Sequence, residues 1–537
     1  MLPLPDCMRR RIHCKYGRKL REKFFSAAFA GGATRLSMAG CRDAPNALSS
    51  TAIDRVKQPL RALACATLLL AGCDPRSDAG PVVVSAIGGD VALADPARGA
   101  LDHGNRLLLD ATAQGLVRFD AAGQIEPGLA ERWIVIDHGM SYLFRLREAE
   151  WSDGGKVTSE EVVAALRHQL APGSRNALLP FLSAIDQIVA RTPEVIEVEL
   201  KRPRPDLLKL FAQPELALFR THKPGGSGPF RLSDGRRGHV LLRPAFDPRR
   251  SPDDDAAKPG PQDNVELIGE RASRAIARFM LRDSDLVSGG TAADWPLLAA
   301  AGVAPANRRI DPATGLFGWA IVDRSGFLAD PASRAAVARA IDRQAIVAAF
   351  ATTWSVTSQI LPDTLDSAAP PAQPAWTTAT TVAAPNPVAV WQTAHPGALH
   401  LRLAAPDGPG GTLIFGLTAA NLQRIGITAD RVAWDASADL RLIDAVAPYD
   451  SARWYLATAC QLCSVTAQAA LDGARDAPTM QLRAQHIAEA DAALASDVAF
   501  IPIAQPLRWS LVSLRLKQWQ PNARAWHPLN RLRGPTN

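Results

Sequence analysis

The sequence predicts a mixed α/β (α+β) protein of several domains, and three observations carry that expectation. Tyr142, Phe144 and Leu146 alternate with Leu143, Arg145 and Arg147, and Ile196, Val198 and Leu200 alternate with Glu197 and Glu199. A period of two marks half-buried strands. Helical signals are interleaved with them: Thr158-Ser159-Glu160-Glu161 reads as a capping box, in which the Thr158 hydroxyl accepts from the amide of Glu161 and Glu161 reaches back. Met480, Ala484, Ile487, Ala490 and Leu494 recur at helical spacing. About 465 of the 537 residues follow residue 72, more than a single hydrophobic core serves, so two or more domains are expected.

Taken in order, Val82-Val83-Val84 is an apolar run suited to a buried strand, and Leu107 to Gly115 reads as a helix ending at glycine. Leu116 to Phe119, the turn Asp120-Ala121-Ala122-Gly123, and Gln124-Ile125 read as strand, turn, strand. Gly225 to Phe230 lacks the Gly-Lys-Ser/Thr ending of a phosphate-binding loop and reads as a turn before the strand Phe230-Arg231-Leu232. Asp330-Pro331 is an N-cap followed by proline at the first helical position, and the helix beyond carries Val337, Ile341 and Ala345 on one face. Residues 362–398, rich in Ala, Pro and Thr, read as a long loop. Leu399 to Leu403 alternates as a strand, and Phe500-Ile501-Pro502-Ile503 is a final buried strand.

Residues 61–73 carry positive charge, then about ten apolar residues, then Leu70-Ala71-Gly72-Cys73. That is the layout of a cleaved export signal, and the apolar run is too short to span a bilayer. The ending resembles a bacterial lipobox, which implies cleavage before Cys73 and lipid on its thiol. Asp74 to Gly80 then reads as a tether. The alternative is a short buried helix. Residues 1–55 read as an over-extended start with Val56 as the initiator, or else as a basic cytoplasmic tail. Residues 1–72 hold 13 of the 60 Lys and Arg but 4 of the 53 Asp and Glu, so the pI of about 9.2 belongs to this prefix. The remainder is close to neutral, and the charge gives no argument for nucleic acid.

Five of the seven cysteines lie at or before Cys73, leaving Cys460 and Cys463 as Cys-Gln-Leu-Cys. In an oxidising compartment the pair reads as a disulfide; free thiols or a redox motif are the alternatives. No further Cys or His stands close enough for a zinc site. The chain lacks His-Glu-x-x-His, Gly-x-Ser-x-Gly and a local Cys–His pairing, so neither catalysis nor a cofactor is expected.

Several segments in sequence resemble a known family. They are Gln114-Gly115-Leu116-Val117, Glu126 to Trp133, Tyr142 to Arg147, and Trp151-Ser152-Asp153-Gly154 with its capped helix. Gly228 to Leu232, Asp283 to Leu286, Arg334 to Ile346, Leu422 to Ile427 and Ile501-Pro502-Ile503 continue the likeness. The order resembles the extracytoplasmic solute-binding proteins of the dipeptide/oligopeptide group, family 5. The resemblance implies two lobes closing on a hinge, with a third domain inserted in the first. Carried onto this chain, it implies a first lobe of residues 81–106, 193–310 and 505–537. The inserted domain would be 107–192 and the second lobe 311–504, behind a 73–80 tether. It further implies a lipid-anchored monomer on the periplasmic face of the envelope, delivering peptides or a related solute to the permease and ATPase of an ABC importer. A nickel chelate, a sugar or a non-transport role are the alternatives.

The resemblance also implies a carboxylate for the peptide ammonium, because a buried ammonium is costly without a partner. Asp444 is favoured and Asp450 is second; read locally, Asp444 ends a strand and Asp450 caps a helix. Trp434, Trp454 and Tyr455 are candidates for lining the pocket, and each also reads as ordinary packing.

Overall fold

The computed structural model describes residues 79–220, 223–236, 238–245, 259–377 and 386–533. Cys73, the apolar run before it and most of the tether lie outside the described residues.

Val82–Ile87 is the centre of a seven-stranded sheet. The strand order is Phe230–Arg236, His239–Pro244, Val265–Glu270, Val82–Ile87, Leu286–Thr291, Arg508–Val512, Arg308–Ile310. Both neighbours of the central strand are parallel to it, so both its faces are covered; this is why its sequence is a continuous apolar run rather than an alternation. The helix His103–Thr112 packs on this sheet. It starts four residues before the expected Leu107, because Asp102 accepts from the Asn105 amide at 2.9 Å and caps it there. It stops at Thr112, before Gly115. Gly115 meets a different need: a Cβ there would come 2.3 Å from the Phe211 carbonyl oxygen. The expected domain boundary at 106/107 therefore falls inside a helix.

The inserted segment forms a four-stranded sheet ordered Ala130–Ile136, Ser141–Leu146, Val195–Leu200, Ile185–Thr192. Tyr142, Phe144 and Leu146 face its core as the alternation requires, opposite Val198 and Ile196 on the next strand. The expected boundary at 192/193 separates two strands of one hairpin, so this unit continues through Leu200. Ser159–Leu170 packs on it. Thr158 accepts from the Glu161 amide at 3.4 Å, but the capping box is half made. Glu161 turns away to accept from the Trp151 indole and from Arg220, each at 2.6 Å.

A five-stranded sheet follows, ordered Ile427–Val432, Leu399–Ala404, Leu440–Val446, Gly315–Ile321, Phe500–Ala504. The single helix expected after Pro331 is two, Pro331–Ala340 and Arg343–Ala348. Asp342 breaks the run by accepting from the Ala345 amide at 2.9 Å, which turns Ile346 inward and leaves Ala345 exposed. The expected 362–398 loop contains the helix Pro387–Ala394, capped by Asn386. In Met480–Asp497 the inner face is Arg483, Ile487, Ala490, Asp491 and Leu494, while Met480 is exposed.

The seven- and five-stranded sheets are joined twice, at 311–314 and 505–507, beside the expected boundaries at 310/311 and 504/505. The second crossing reaches the end of the first: the amide of Gly315, the residue after it, donates to Gln505 Oε1 at 3.1 Å. No described helix is long and apolar enough to cross a membrane.

Candidate ligand cleft

Arg508 opens the strand that follows one crossing, and Asp444 lies within Leu440–Val446, on the opposite side of the junction. Arg508 Nη1 donates to Asp444 Oδ1 at 2.6 Å, and Nη2 donates to the Asp444 backbone oxygen at 3.2 Å. Both side chains are mostly buried, at 15% and 17% exposure. The expectation that Asp444 ends its strand is corrected, because two more residues, Ala445 and Val446, pair beyond it. Its carboxylate is not an isolated charge; Oδ2 is the atom that no described group bonds.

The helix His103–Thr112 turns one face toward this junction. His103 Nε2 lies 2.8 Å from Ser288 Oγ and its ring meets Trp526 edge-on at 6.0 Å. Burial pushes the His103 imidazole down to about 3, aided by the charges of Arg106, His527 and Arg508, so it is neutral near pH 7. Arg106 lies 4.8 Å over Trp526 and 2.7 Å from Glu215. One turn on, burial pushes the Asp110 carboxyl up to about 6 against the pull of Arg118 and Arg106. Trp509 donates to the Thr291 carbonyl at 2.9 Å and lies over Gly290, where a Cβ would come 2.2 Å from its ring. Behind them, Asp311 accepts from the Asn522 amide and lies 3.1 Å from His527 Nε2.

A second set of contacts ties the turn 447–451 to the segment 204–213. Gln213 donates to the Pro448 carbonyl at 2.8 Å, and Arg204 to the Tyr449 hydroxyl at 3.3 Å. Asp450 accepts from Lys209 at 2.8 Å and from Arg524. Burial alone would raise the Asp450 carboxyl, but these two hydrogen bonds outweigh it and the net direction is down. Asp450 does not cap the following helix. Ala452–Ala459 is capped by Asp366, whose Oδ1 accepts from the Ala452 amide at 2.6 Å and whose Oδ2 bonds Ser451 and Arg483.

Trp454 and Tyr455 are buried in the core, edge-on to each other at 5.1 Å. They support the turn from behind. Trp434 is 45% exposed, with the Arg441 guanidinium 6.0 Å from its ring. Cys460 and Cys463 are disulfide-bonded, Cα to Cα 5.2 Å. Among the described residues no group of three His, Cys, Asp or Glu is placed to hold a metal ion. The junction thus brings Asp444 together with Arg508, His103, Ser288 and Trp526; Tyr455 reaches the 311–314 crossing at Thr314, and Trp434 and Trp454 are not joined to Asp444. None of these partners carries a local motif. Arg508 stands in Pro506-Leu507-Arg508-Trp509, and only the chain crossing places it opposite Asp444.

Two sheets joined by paired crossings, with charged groups facing across the junction, are an arrangement suited to enclosing a small polar molecule. Comparison with known proteins shows the family and the fold. Residues 124–440 match the family model described as bacterial extracellular solute-binding proteins, family 5. A segment of 145 residues is 30% identical to the probable deoxycholate-binding periplasmic protein YgiS of Escherichia coli K12, covering 24% of this chain and 27% of that protein. A segment of 185 residues is 28% identical to the glutathione-binding protein GsiB of Escherichia coli, covering 32% and 35%. The matched stretches thus span about a quarter to a third of these relatives. In fold, the chain is similar to Haemophilus influenzae OppA in complex with the peptide RPPGFSPFR. The TM-score is 0.69 at 16% identity, over 84% of this chain and 99% of that one.

Proposed function

This chain belongs to the bacterial extracellular solute-binding proteins of family 5, and on that premise we propose that it is a lipid-anchored capture protein. It works as a monomer on the periplasmic face of the envelope. It takes up peptides or a related small solute and delivers them to the permease and ATPase subunits of an ABC importer. The supporting observation is the Asp444–Arg508 pair at the junction of the two sheets. A carboxylate held by one arginine through Oδ1 keeps Oδ2 available to a ligand ammonium, and the same arginine can turn to a ligand carboxylate. A zwitterion offers both groups. Full pairing matters because a charge brought out of water without a partner is costly.

Native mass spectrometry of the purified mature protein tests for a co-purified ligand, and a peptide library tests for thermal shift. Ligand that binds only the folded state raises the melting temperature. Small-angle scattering should show compaction on binding. A library that produces neither effect would turn the reading toward a non-peptide solute such as a nickel chelate or a sugar, or toward a non-transport role. The anchor is tested separately: Cys73→Ser should abolish fatty-acid labelling and membrane recovery, and a labelled, membrane-bound variant would end that part of the proposal.

A further inference from the structure

The exposed apolar side chains of a soluble protein are usually scattered, and scattered ones need no explanation. Three of them here are gathered at one pole of the seven-stranded sheet. Met280 is 52% exposed, Leu281 72% and Leu514 68%. Met280 and Leu514 share the wall of one cleft of about 560 Å³ with Phe279 and Val303. A gathered patch of this kind marks a contact surface.

The patch stands on a rigid frame. Met280 ends the helix Ala272–Met280, Leu281 is its exposed C-cap residue, and Arg282, with a left-handed φ of 63°, turns the chain out of the helix. Leu514 stands between Ser513, whose amide donates to the Asp285 carbonyl at 2.8 Å, and Arg515. Arg515 grips both oxygens of the buried Asp285 carboxylate, at 2.7 and 2.6 Å, and donates to the Pro81 carbonyl at 3.0 Å. The same ion pair therefore fixes Leu514 and the point where the chain enters the sheet.

That shared frame identifies the occupant. Seven residues separate Cys73 from Pro81, and extended chain covers at most about 3.5 Å per step, so Pro81, gripped by Arg515, is tethered within roughly 28 Å of Cys73. Exposed Arg282 directly follows Leu281 and lines the same cleft, exposed Lys517 stands three residues beyond Leu514, and Asp283 is an exposed acid next to Arg282. Apolar side chains bordered by cations match the boundary between acyl chains and anionic headgroups. We propose that Met280, Leu281 and Leu514 form a membrane-docking face that rests on a bilayer containing anionic lipid. Arg508, which pairs with Asp444, opens the strand Arg508–Val512 whose far end leads into Leu514, so the docking pole lies at the opposite end of that strand from the pair. The proposal rests on the lipid-anchor reading of Cys73, and its test separates the two.

The test uses the full, purified protein reconstituted in vesicles of phosphatidylcholine and phosphatidylglycerol at 3:1. Mass spectrometry reports acylation of Cys73. A nitroxide on Leu281→Cys reports depth, and one on Ile134→Cys, an exposed apolar site on another sheet, serves as the control. The expected result is at least tenfold lower accessibility to a water-soluble relaxation agent at 281 than at 134. Vesicles of phosphatidylcholine alone, or 1 M salt, should shrink that ratio severalfold. Met280→Ser with Leu514→Ser should reduce it while leaving the melting temperature within a few degrees. Equal accessibility at both labels with Cys73 acylated would overturn the docking face and leave the anchor standing. Protection at 281 that is already present without lipid, together with a dimer in sedimentation, would assign the patch to a second copy and overturn the proposal as well. Protection in vesicles with Cys73 unacylated would support docking and refute the anchor.

Discussion

Arg508 and Asp444 lie 2.6 Å apart across the junction of two sheets and are 64 residues apart in sequence. Each is mostly buried, so neither charge is cheaply left alone. Arg508→Gln should destabilise the protein by about 3 kcal/mol, because removing one member of a buried pair strands the other. Asp444→Asn should cost less, since the Asp444 backbone oxygen still accepts from Arg508. If Asp444 also receives a ligand ammonium, Asp444→Asn should weaken binding of a free peptide by about 2–5 kcal/mol. It should weaken binding of the N-acetylated peptide much less. Calorimetry with both peptides checks this, and equal losses would remove ammonium recognition.

Asp450 and Asp366 stand on either side of the start of one helix and should behave oppositely. Asp450 is 47% exposed between Lys209 and Arg524. Exposed pairs contribute little, so Asp450→Asn should cost less than about 1 kcal/mol. Asp366 caps the helix and partners the buried Arg483, so Asp366→Ala should cost about 3 kcal/mol. Urea titration of both variants gives the comparison, and a larger loss at Asp450 would reverse the assignment of the cap.

Burial raises Asp491 to about 6, with the Ala372 amide donating to it at 2.7 Å as the opposing influence. A carboxyl whose folded pKa lies above its unfolded value is protonated more in the folded state. Its stabilising contribution is complete below about pH 4 and is lost as pH rises through about 6. Asp491→Asn keeps an acceptor for Ala372 without the charge. The variant should therefore gain on the wild type by about 2–3 kcal/mol between pH 4.5 and pH 8. His103 acts with the opposite sign in wild type and variant alike: its folded pKa is depressed, so its contribution is lost as pH falls below about 6.5. Melting temperatures of both proteins across that range isolate Asp491, and a constant difference would contradict the assignment.

The disulfide between Cys460 and Cys463 closes a loop of few residues between the helices Ala452–Ala459 and Val465–Asp476. Short loops lose little chain entropy on closure, so reduction or Cys460→Ser with Cys463→Ser should cost no more than about 2 kcal/mol. A much larger drop in denaturant midpoint would mean that the bridge orders both helices.

What the sequence by itself determined about this protein is what local physics controls. The apolar run Val82-Val83-Val84, the alternations at 142–146 and 196–200, and the Asp330-Pro331 start are each set by neighbours in the chain, and each stands where the pattern puts it. The ordered motifs between Gln114 and Ile503 were enough for the family. Local signals misled where a side chain had a better distant partner. Glu161 left the capping box for Trp151 and Arg220, and Asp342 capped a new helix where the apolar spacing ran on. The site is the extreme case. Asp444 is visible as an acid near a strand, but its meaning depends on Arg508, His103, Ser288 and Trp526, which arrive from four other parts of the chain. Their charge and hydrogen-bonding chemistry acts over a few ångströms in space, and only the crossings at 311–314 and 505–507 bring them within that distance.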